Sequence, residues 1–455
     1  MRNPIVRILD IQINNIKNVV FGEVKFRNKV KIRKDFKIEG RDILGIYGPN
    51  GTGKTALVEV VSILATLFQG KSLGEEVKEL IYKGATEASI GAGFYIEDET
   101  DKYIVRYEVK IEVRKDRLIV AQEKISRSCL RQGKWETRTL LKYRYSEERY
   151  LKSYHGFKEI IAKDKNMLME LDRAKELSIR EVTSFVFSEK VKEILKKTTA
   201  NTHESIRVIN ELYNFAKINL HIIRHNKFDD YTVKKLIINT INSNQEKEAM
   251  LKNENAVEAN VTLEVNYEAF QKKLKQINLA ISAIVPGLMI KVHRYSNRAL
   301  IDHSTYNELE IFTIRDGQSI PLEIESTGIK KTLAIISEII TLYNNSHVCL
   351  VIDDFDSGIF EYLFGELLEV ISKGAKGQLI FTAHNLRAFE VLDKECIVCT
   401  TIEPEHRYCK LNIKKCRNLR DAYLRSILLE GEKEELYKET NIHEITLALR
   451  KAVKI

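Results

Sequence analysis

Gly48-Pro-Asn-Gly-Thr-Gly-Lys-Thr55 is the stretch on which the fold turns. It matches G-x-x-x-x-G-K-[ST], and its flanks are the ones this pattern needs. Asp42 to Tyr47 reads as a short apolar strand running into the glycines. Thr55 to Phe68 reads as a helix with Leu57, Val61, Leu64 and Phe68 along one face. Glycine lets the backbone wrap close to phosphate with its N–H groups pointing inward. Asn50, Gly51, Thr52 and Gly53 form that cradle, Lys54 is placed to neutralise β- and γ-phosphate oxygens, and the Thr55 hydroxyl is a ligand for Mg2+. The N-terminus of the helix adds its own partial positive charge.

A second set of residues answers the first from about three hundred positions away. Val348-Cys-Leu-Val-Ile-Asp-Asp354 is a continuous apolar run, suited to a buried parallel strand, that ends in two acids. Asp353 is the expected partner of Mg2+, and Asp354 is placed to orient or polarise an attacking water. Glu325-Ser-Thr-Gly-Ile-Lys-Lys331 opens a helix, with Ser326 as its N-cap and Gly328 allowing close backbone approach. His384, just past the strand Gln378 to Thr382, is within reach of a γ-phosphate in such an arrangement.

Around these motifs the organisation is α/β with interruptions. Ile5 to Ile13 and Val19 to Phe26 alternate apolar and polar residues, and Ser89 to Val120 reads as an antiparallel meander. From about residue 130 to 290 the chain is charged and helical, with apolar residues at helical spacing in Val191 to Leu195, Val208 to Phe215 and Tyr267 to Ile284; Val261 to Val265 is a candidate strand. No heptad is sustained, so a long coiled-coil arm is not expected. Strand character returns with a hairpin over Glu310 to Ile324 that turns at Asp316-Gly317. A helix from Gly328 to Tyr343 follows, and another from Ile359 to Ile371 aligns Phe360, Leu363, Phe364, Leu367 and Ile371. The division expected is 1–129 and 310–455 as two lobes of one head, with 130–309 between them as a mainly helical lid or docking insert.

Composition narrows the setting. The 455 residues carry 44% hydrophobic and 30% charged residues, a formal charge of +9 and only 5 prolines. No apolar run reaches the roughly 18 to 20 residues of a membrane span, and no secretory pattern opens the chain, so a cytoplasmic protein without membrane contact is expected. The mild positive balance, denser over Lys25 to Lys37 and Lys190 to Lys197, permits contact with DNA or RNA phosphates without demanding it. Of the six cysteines, Cys396, Cys399, Cys409 and Cys416 cluster. Cys396 and Cys399 lie three apart on a strand and point to opposite faces, which argues against zinc.

Together the four motifs resemble the ABC-type ATPase heads of the SMC, RecF and OLD group, and more closely the stand-alone AAA family ATPases of prokaryotic antiphage defence and abortive-infection systems. Gly48 to Thr55 matches Walker A, Glu325 to Lys330 the signature, Ile352-Asp-Asp with Phe355-Asp-Ser-Gly358 Walker B and the D-loop, and Phe381-Thr-Ala-His-Asn385 the switch-histidine segment. Asn418-Leu-Arg-Asp-Ala-Tyr423 resembles a tail of the defence-type group. The resemblance implies an α/β P-loop NTPase of ABC-ATPase type, with a mixed sheet, an antiparallel β subdomain and a mainly helical insertion. It further implies ATP and Mg2+ as cofactors, and a homodimer or higher oligomer in which Ser326 and Gly328 of one copy close over ATP held by another. A separate effector protein is implied too, since no nuclease motif is apparent. A RecF-like ATPase that clamps DNA and a non-hydrolysing nucleotide-gated scaffold are the competing readings; a transport ATPase fits less well, given the long insert. One departure stands out: the group usually has Glu where this chain has Asp354, which implies slow hydrolysis. Gln122 is a weak candidate for the Q-loop glutamine.

Overall fold

The computed structural model describes residues 4–26, 42–98, 101–131, 134–145, 154–155, 165–196, 203–224, 267–299, 305–411, 418–428, 435–437 and 441–452. The first two strands, β1 (Ile5–Ile16) and β2 (Val19–Lys25), form an antiparallel hairpin. β3 (Ile43–Tyr47) is buried at every position and delivers the chain to helix α1 (Lys54–Phe68); α2 (Glu76–Glu79) follows. Four long strands come next, β4 (Glu87–Glu97), β5 (Lys102–Arg114), β6 (Arg117–Arg131) and β7 (Lys134–Arg144), with a short β8 (Tyr154–His155). They complete a seven-stranded antiparallel sheet in the order β2-β1-β4-β5-β6-β7-β8.

That sheet runs further than the alternation from Ser89 to Val120 suggested. The boundary expected after residue 129 falls inside β6, and β7 lies wholly beyond it. Beyond the sheet come α3 (Lys165–Glu181), α4 (Glu189–Lys196) and α5 (His203–Asn214). A π-helical turn, Phe215–Asn219, then leads into β9 (Leu220–Ile223). The candidate strand at Val261 to Val265 lies outside the described residues, as does most of the basic stretch Lys25 to Lys37. In the other basic stretch, Lys190 and Lys192 pair with Glu193 and Glu189, so α4 presents a compensated surface.

The remaining elements rebuild the head. α6 (Tyr267–Ile284) precedes a three-stranded antiparallel sheet of β10 (Met289–Ala299), β11 (Thr305–Arg315) and β12 (Gln318–Pro321). Asp316 and Gly317 turn its second hairpin with φ of 51° and 79°, the pair of positive values that a tight two-residue hairpin demands. Then come α7 (Thr327–Asn344), β13 (Cys349–Ile352), α8 (Glu361–Gly374), β14 (Gln378–Ala383), the short α9 (Ala388–Val391), β15 (Ile397–Thr400), β16 (Tyr408–Cys409), α10 (Leu419–Leu428) and α11 (Ile442–Ala452).

Six strands from three distant regions make the central sheet, in the order β16-β15-β3-β14-β13-β9. All its pairings are parallel except the edge pair β15–β16. β3 and β13 are apolar and buried at every position because both faces of the sheet are covered there. Leu44, Ile46, Val351 and Ile380 face α1 and the antiparallel sheet, whereas Tyr47, Leu350, Ile352 and Phe381 face the α7 and α8 side. Gln378, almost fully buried, ties the two sheets together: its amide accepts from the Ile8 N–H and donates to the Ile8 carbonyl, both at 2.9 Å. Arg7 adds an ion pair to Asp42 at 2.6 Å.

Phe360 departs from its expected place. It precedes α8 in an extended conformation and is 72% exposed, stacked on Tyr362, while Phe364, Leu367, Leu368 and Ile371 form the buried face. A residue outside the first helical turn does not share the helix's facing, so the spacing misplaced it. Cys399 stands opposite Cys409 in the β15–β16 register. Among the described residues no group of three or more metal-ligating side chains converges, and no helix is long and apolar enough to cross a membrane.

Candidate nucleotide site

Parallel pairing decides where the motifs meet. β3, β13 and β14 run side by side in one direction, so their C-terminal ends bring residues 48–55, 353–358 and 384 to one edge of the sheet. Loops at such carboxyl ends form the usual ligand crevice of open α/β sheets.

The 48–55 loop is shaped by its backbone and by what backs it. Gly53 precedes α1 with φ of 99°, and an added Cβ there would press on the Arg407 side chain and Val19 at 3.0 Å. Glycine is therefore required on two counts. Thr52 donates to the Pro49 carbonyl at 2.7 Å and meets the Thr400 hydroxyl at 2.5 Å. Tyr408 donates from its hydroxyl to the Gly53 carbonyl at 2.8 Å. The hairpin β15–β16 thus buttresses the loop from behind. Lys54 is buried and donates to the carbonyls of Gly48 (2.8 Å) and Pro49 (2.9 Å). Burial lowers its pKa, while Asp354 and Asp353 pull the other way. Asn50 and Gly51 are exposed at the mouth.

Opposite the lysine stands Asp353, nearly buried at the end of β13. Its carboxylate accepts from the Thr382 hydroxyl at 2.7 Å, and the nearby Thr55 hydroxyl also favours its charged form. Desolvation raises its pKa, and the Thr382 hydrogen bond opposes that rise. An oxygen-only set built from Thr55 and Asp353 beside a phosphate cradle fits Mg2+, a hard cation that takes few protein ligands. Asp354 has φ of 48°, a left-handed conformation that Asp and Asn enter more readily than other side chains. Its Oδ1 lies 3.8 Å from His384 Nε2. Burial, and then the charge of Lys54, lower the His384 pKa, so the imidazole is neutral near pH 7. Asp356 accepts the backbone N–H groups of His384 (2.9 Å) and Asn385 (2.6 Å), fixing the histidine segment.

Ser326 and Gly328 are held elsewhere. Ser326 caps α7 by accepting the Ile329 N–H at 3.3 Å, and its hydroxyl end is exposed. Gly328 packs against the turn after Asp354, where an added Cβ would lie 2.9 Å from the Gly358 carbonyl. Among the described residues the hydrogen bonds of Ser326 stay within 325–330 and none reaches the 48–55 loop.

Three residues at the site were not singled out by spacing. Thr382 stood only as part of a quoted segment, Thr400 lay in no motif, and Lys331 stood only as the last residue of the stretch that opens α7. Lys331 is in fact almost fully buried, donates to the Asp354 carbonyl at 2.5 Å, and is pushed down by burial to a pKa of about 8. Gln122 sits in mid-strand on β6, paired in register with Lys110 and Arg144. Beside β13, the strand β9 instead delivers Arg224, which contacts Glu59 of α1 at 3.3 Å.

Fold and site define a P-loop NTPase head of mixed α/β architecture, with one parallel-cored sheet and one antiparallel sheet. The chain belongs to the family described as "AAA domain, putative AbiEii toxin, Type IV TA system", which matches residues 43–389. No curated protein matches it. Among solved structures it is similar to the Smc head bound to the C-winged helix domain of ScpA, at 12% identity over 90% of this chain and 98% of that one, with a TM-score of 0.46. It is also similar to the Smc head with an extended coiled coil bound to the C-terminal domain of ScpA derived from Pyrococcus furiosus (14% identity, 90% and 97% covered, TM-score 0.41). The SMC head domain from Thermotoga maritima is similar at 14% identity, with 90% and 100% covered and a TM-score of 0.37.

Proposed function

We propose that this protein is a slow ATPase that works as a nucleotide-gated switch in an antiphage defence or abortive-infection system, governing a separate effector. One observation carries the reading: parallel pairing brings Thr55, at the end of the phosphate loop, and Asp353, at the end of a strand three hundred residues later, to the same end of the sheet, close enough for the Thr55 hydroxyl to stabilise the Asp353 carboxylate, with Lys54, Asp354 and His384 around them. Asn50, Gly51, Thr52 and Gly53 line the triphosphate and Lys54 neutralises its terminal oxygens. Thr55 and Asp353 would hold Mg2+, which when bound supplies further charge neutralisation between phosphate oxygens. Asp354 orients the water and takes its proton, and neutral His384 hydrogen-bonds the terminal phosphate.

Ser326 is exposed and, among the described residues, makes no hydrogen bond to its own chain's 48–55 loop, which supports its acting with Gly328 on ATP held by a second copy. A helix N-terminus is a ready anion site. Slowness follows from Asp354. It is one methylene shorter than Glu, so its carboxylate sits roughly an ångström back, and a shift of that size costs about a hundredfold in rate. The membership in a family described by a type IV toxin–antitoxin system supports the defence setting.

The test is a phosphate-release assay on the full chain, with Lys54→Ala as the blank. Slow turnover above that blank is expected, faster in Asp354→Glu. Calorimetry that finds no uptake of Mg-ATP by folded protein would overturn the reading. Phage challenge of cells carrying the gene, with and without Lys54→Ala, tests the setting: equal plaque counts would remove the defence role.

A further inference from the structure

Two cysteines of the cluster near the C-terminus take no part in the nucleotide site. Cys399 on β15 and Cys409 on β16 are direct partners across the antiparallel ladder, and both are thiols. Residues directly opposite in such a ladder send their side chains to the same face. Here that face is the core on the α7 and α8 side, where Cys399 is fully buried. Cys409 packs against the same cluster and keeps part of its surface in solvent. The Thr401 N–H donates to the Arg407 carbonyl at 2.9 Å, which by the alternation of the ladder makes 399 and 409 a hydrogen-bonded pair. The Cα atoms of such a pair stand about 5.5 Å apart, inside the roughly 4.4–6.8 Å that a disulfide spans. Their Cβ atoms start at about 5 Å and must close to about 3.8 Å, so a bridge draws the two strands together. A disulfide formed under that strain is easily reduced again, as a regulatory bridge has to be.

The opposite face of the same hairpin holds the phosphate loop. Thr400 and Tyr408, one position along each strand and paired with each other, point away from the thiols. Thr400 meets the Thr52 hydroxyl, and Tyr408 donates to the Gly53 carbonyl at 2.8 Å. Fit there is tight: a Cβ added at Gly48 would collide with the Thr400 hydroxyl. The two strands are not equally fixed. β15 is held on its other side by β3, with Cys399 in register with Tyr47, whereas β16 is a two-residue edge strand among the described residues. Closing the thiols therefore moves β16 and carries Tyr408 with it.

We propose that Cys399 and Cys409 form a dithiol that a small-molecule disulfide oxidises reversibly, and that the resulting bridge loosens the phosphate loop through Tyr408 and Thr400. Cys409 attacks first, as the partner that solvent reaches. Its thiolate displaces one thiol from the small disulfide to give a mixed disulfide, and the Cys399 sulfur then displaces the second. Two protein thiols become one disulfide, the reagent's disulfide becomes two thiols, and the two S–H protons leave with them. The effect on ATP rests on the proposed nucleotide site; the bridge and the loop's response do not. The test treats the full chain with oxidised glutathione, alkylates the remaining thiols and maps the cross-linked peptides by mass. Hydrogen exchange of the peptide spanning 48–55 is followed without nucleotide, and Mg-ATP binding by calorimetry. The expected results are a Cys399–Cys409 link that dithiothreitol reverses and faster exchange over 48–55. Mg-ATP affinity should fall about tenfold, the equivalent of one lost hydrogen bond. Cys409→Ser should bind Mg-ATP as the reduced wild type does and should not respond to the oxidant, whereas Cys396→Ala should still form the bridge. No link between Cys399 and Cys409, a link to Cys396 in its place, or a bridge that leaves exchange over 48–55 unchanged would each overturn the proposal. Reduced protein that takes up no Mg-ATP would instead remove the nucleotide site, and the exchange data would still decide the switch.

Discussion

The Thr382 hydroxyl donates to Asp353 Oδ1 at 2.7 Å and in turn accepts the backbone N–H of Asp354 at 2.8 Å, so one threonine sets both acids at the end of β13. Thr382→Val keeps the shape but leaves a buried carboxylate without its donor and an amide without its acceptor. A loss of about 1–3 kcal/mol in stability is expected. Denaturant unfolding of Thr382→Val beside Thr382→Ser checks it. The serine variant should recover most of the loss, and equal values for both would exclude a role for the hydroxyl.

Asp354→Asn tests the second acid without disturbing its backbone, since Asn also accepts the left-handed conformation seen at φ 48°. Mg-ATP affinity should persist while phosphate release falls to the Lys54→Ala level. Size-exclusion with ATP should then show a longer-lived dimer than wild type. Undiminished turnover would remove Asp354 from the chemistry.

Gly328 and Gly358 meet backbone to backbone, and no side chain fits between them. Gly328→Ala forces α7 away from the turn that follows the two acids. Overpacking of this kind costs about 1–3 kcal/mol. ATP-dependent dimerisation, followed by light scattering, should be lost before binding to the single chain is. A variant that dimerises normally would refute the idea that this approach matters.

Lys331 gives a pH dependence with a definite sign. Burial pushes its pKa down to about 8 from an ordinary value of 10.5, so the unfolded chain binds its proton more tightly than the folded one. The penalty is full below about pH 8 and fades as pH rises toward the unfolded value, so stability from this group increases across that window. The wild-type protein should gain on the order of a few kcal/mol there relative to Lys331→Met. Denaturant melts of both proteins between those pH values measure the difference, and parallel curves would contradict it.

How much of this was legible depends on how local each signal was. The strand–loop–helix around Lys54 could be read directly, because its glycines, lysine and apolar flanks are contiguous. So could the Asp316-Gly317 hairpin and the buried run ending at Asp353. The β6–β7 ribbon could not. Irregular register between Lys110 and Ile111, and again between Ile125 and Ser126, resets the two-residue period that marks a strand, and the cations of β7 look helical in composition. Lys331 was hidden for another reason. A tandem lysine in the first turn of a helix looks solvated until the packing of α7 against the turn at Asp354 and Gly358 is known. Thr400 lies some 350 residues from the Thr52 hydroxyl it meets, and no pattern in sequence joins them.

That last contact has a temporal meaning. β3 is flanked by β14 on one side and β15 on the other, and its loop is propped by Thr400 and Tyr408. A nascent polypeptide still lacking those segments holds the lysine-tipped loop with no neighbour on either side. Nucleotide capture therefore has to wait until the segment that carries Thr400 and Tyr408 has emerged from the ribosome, and translation products that stop before it are born without the props of their phosphate loop.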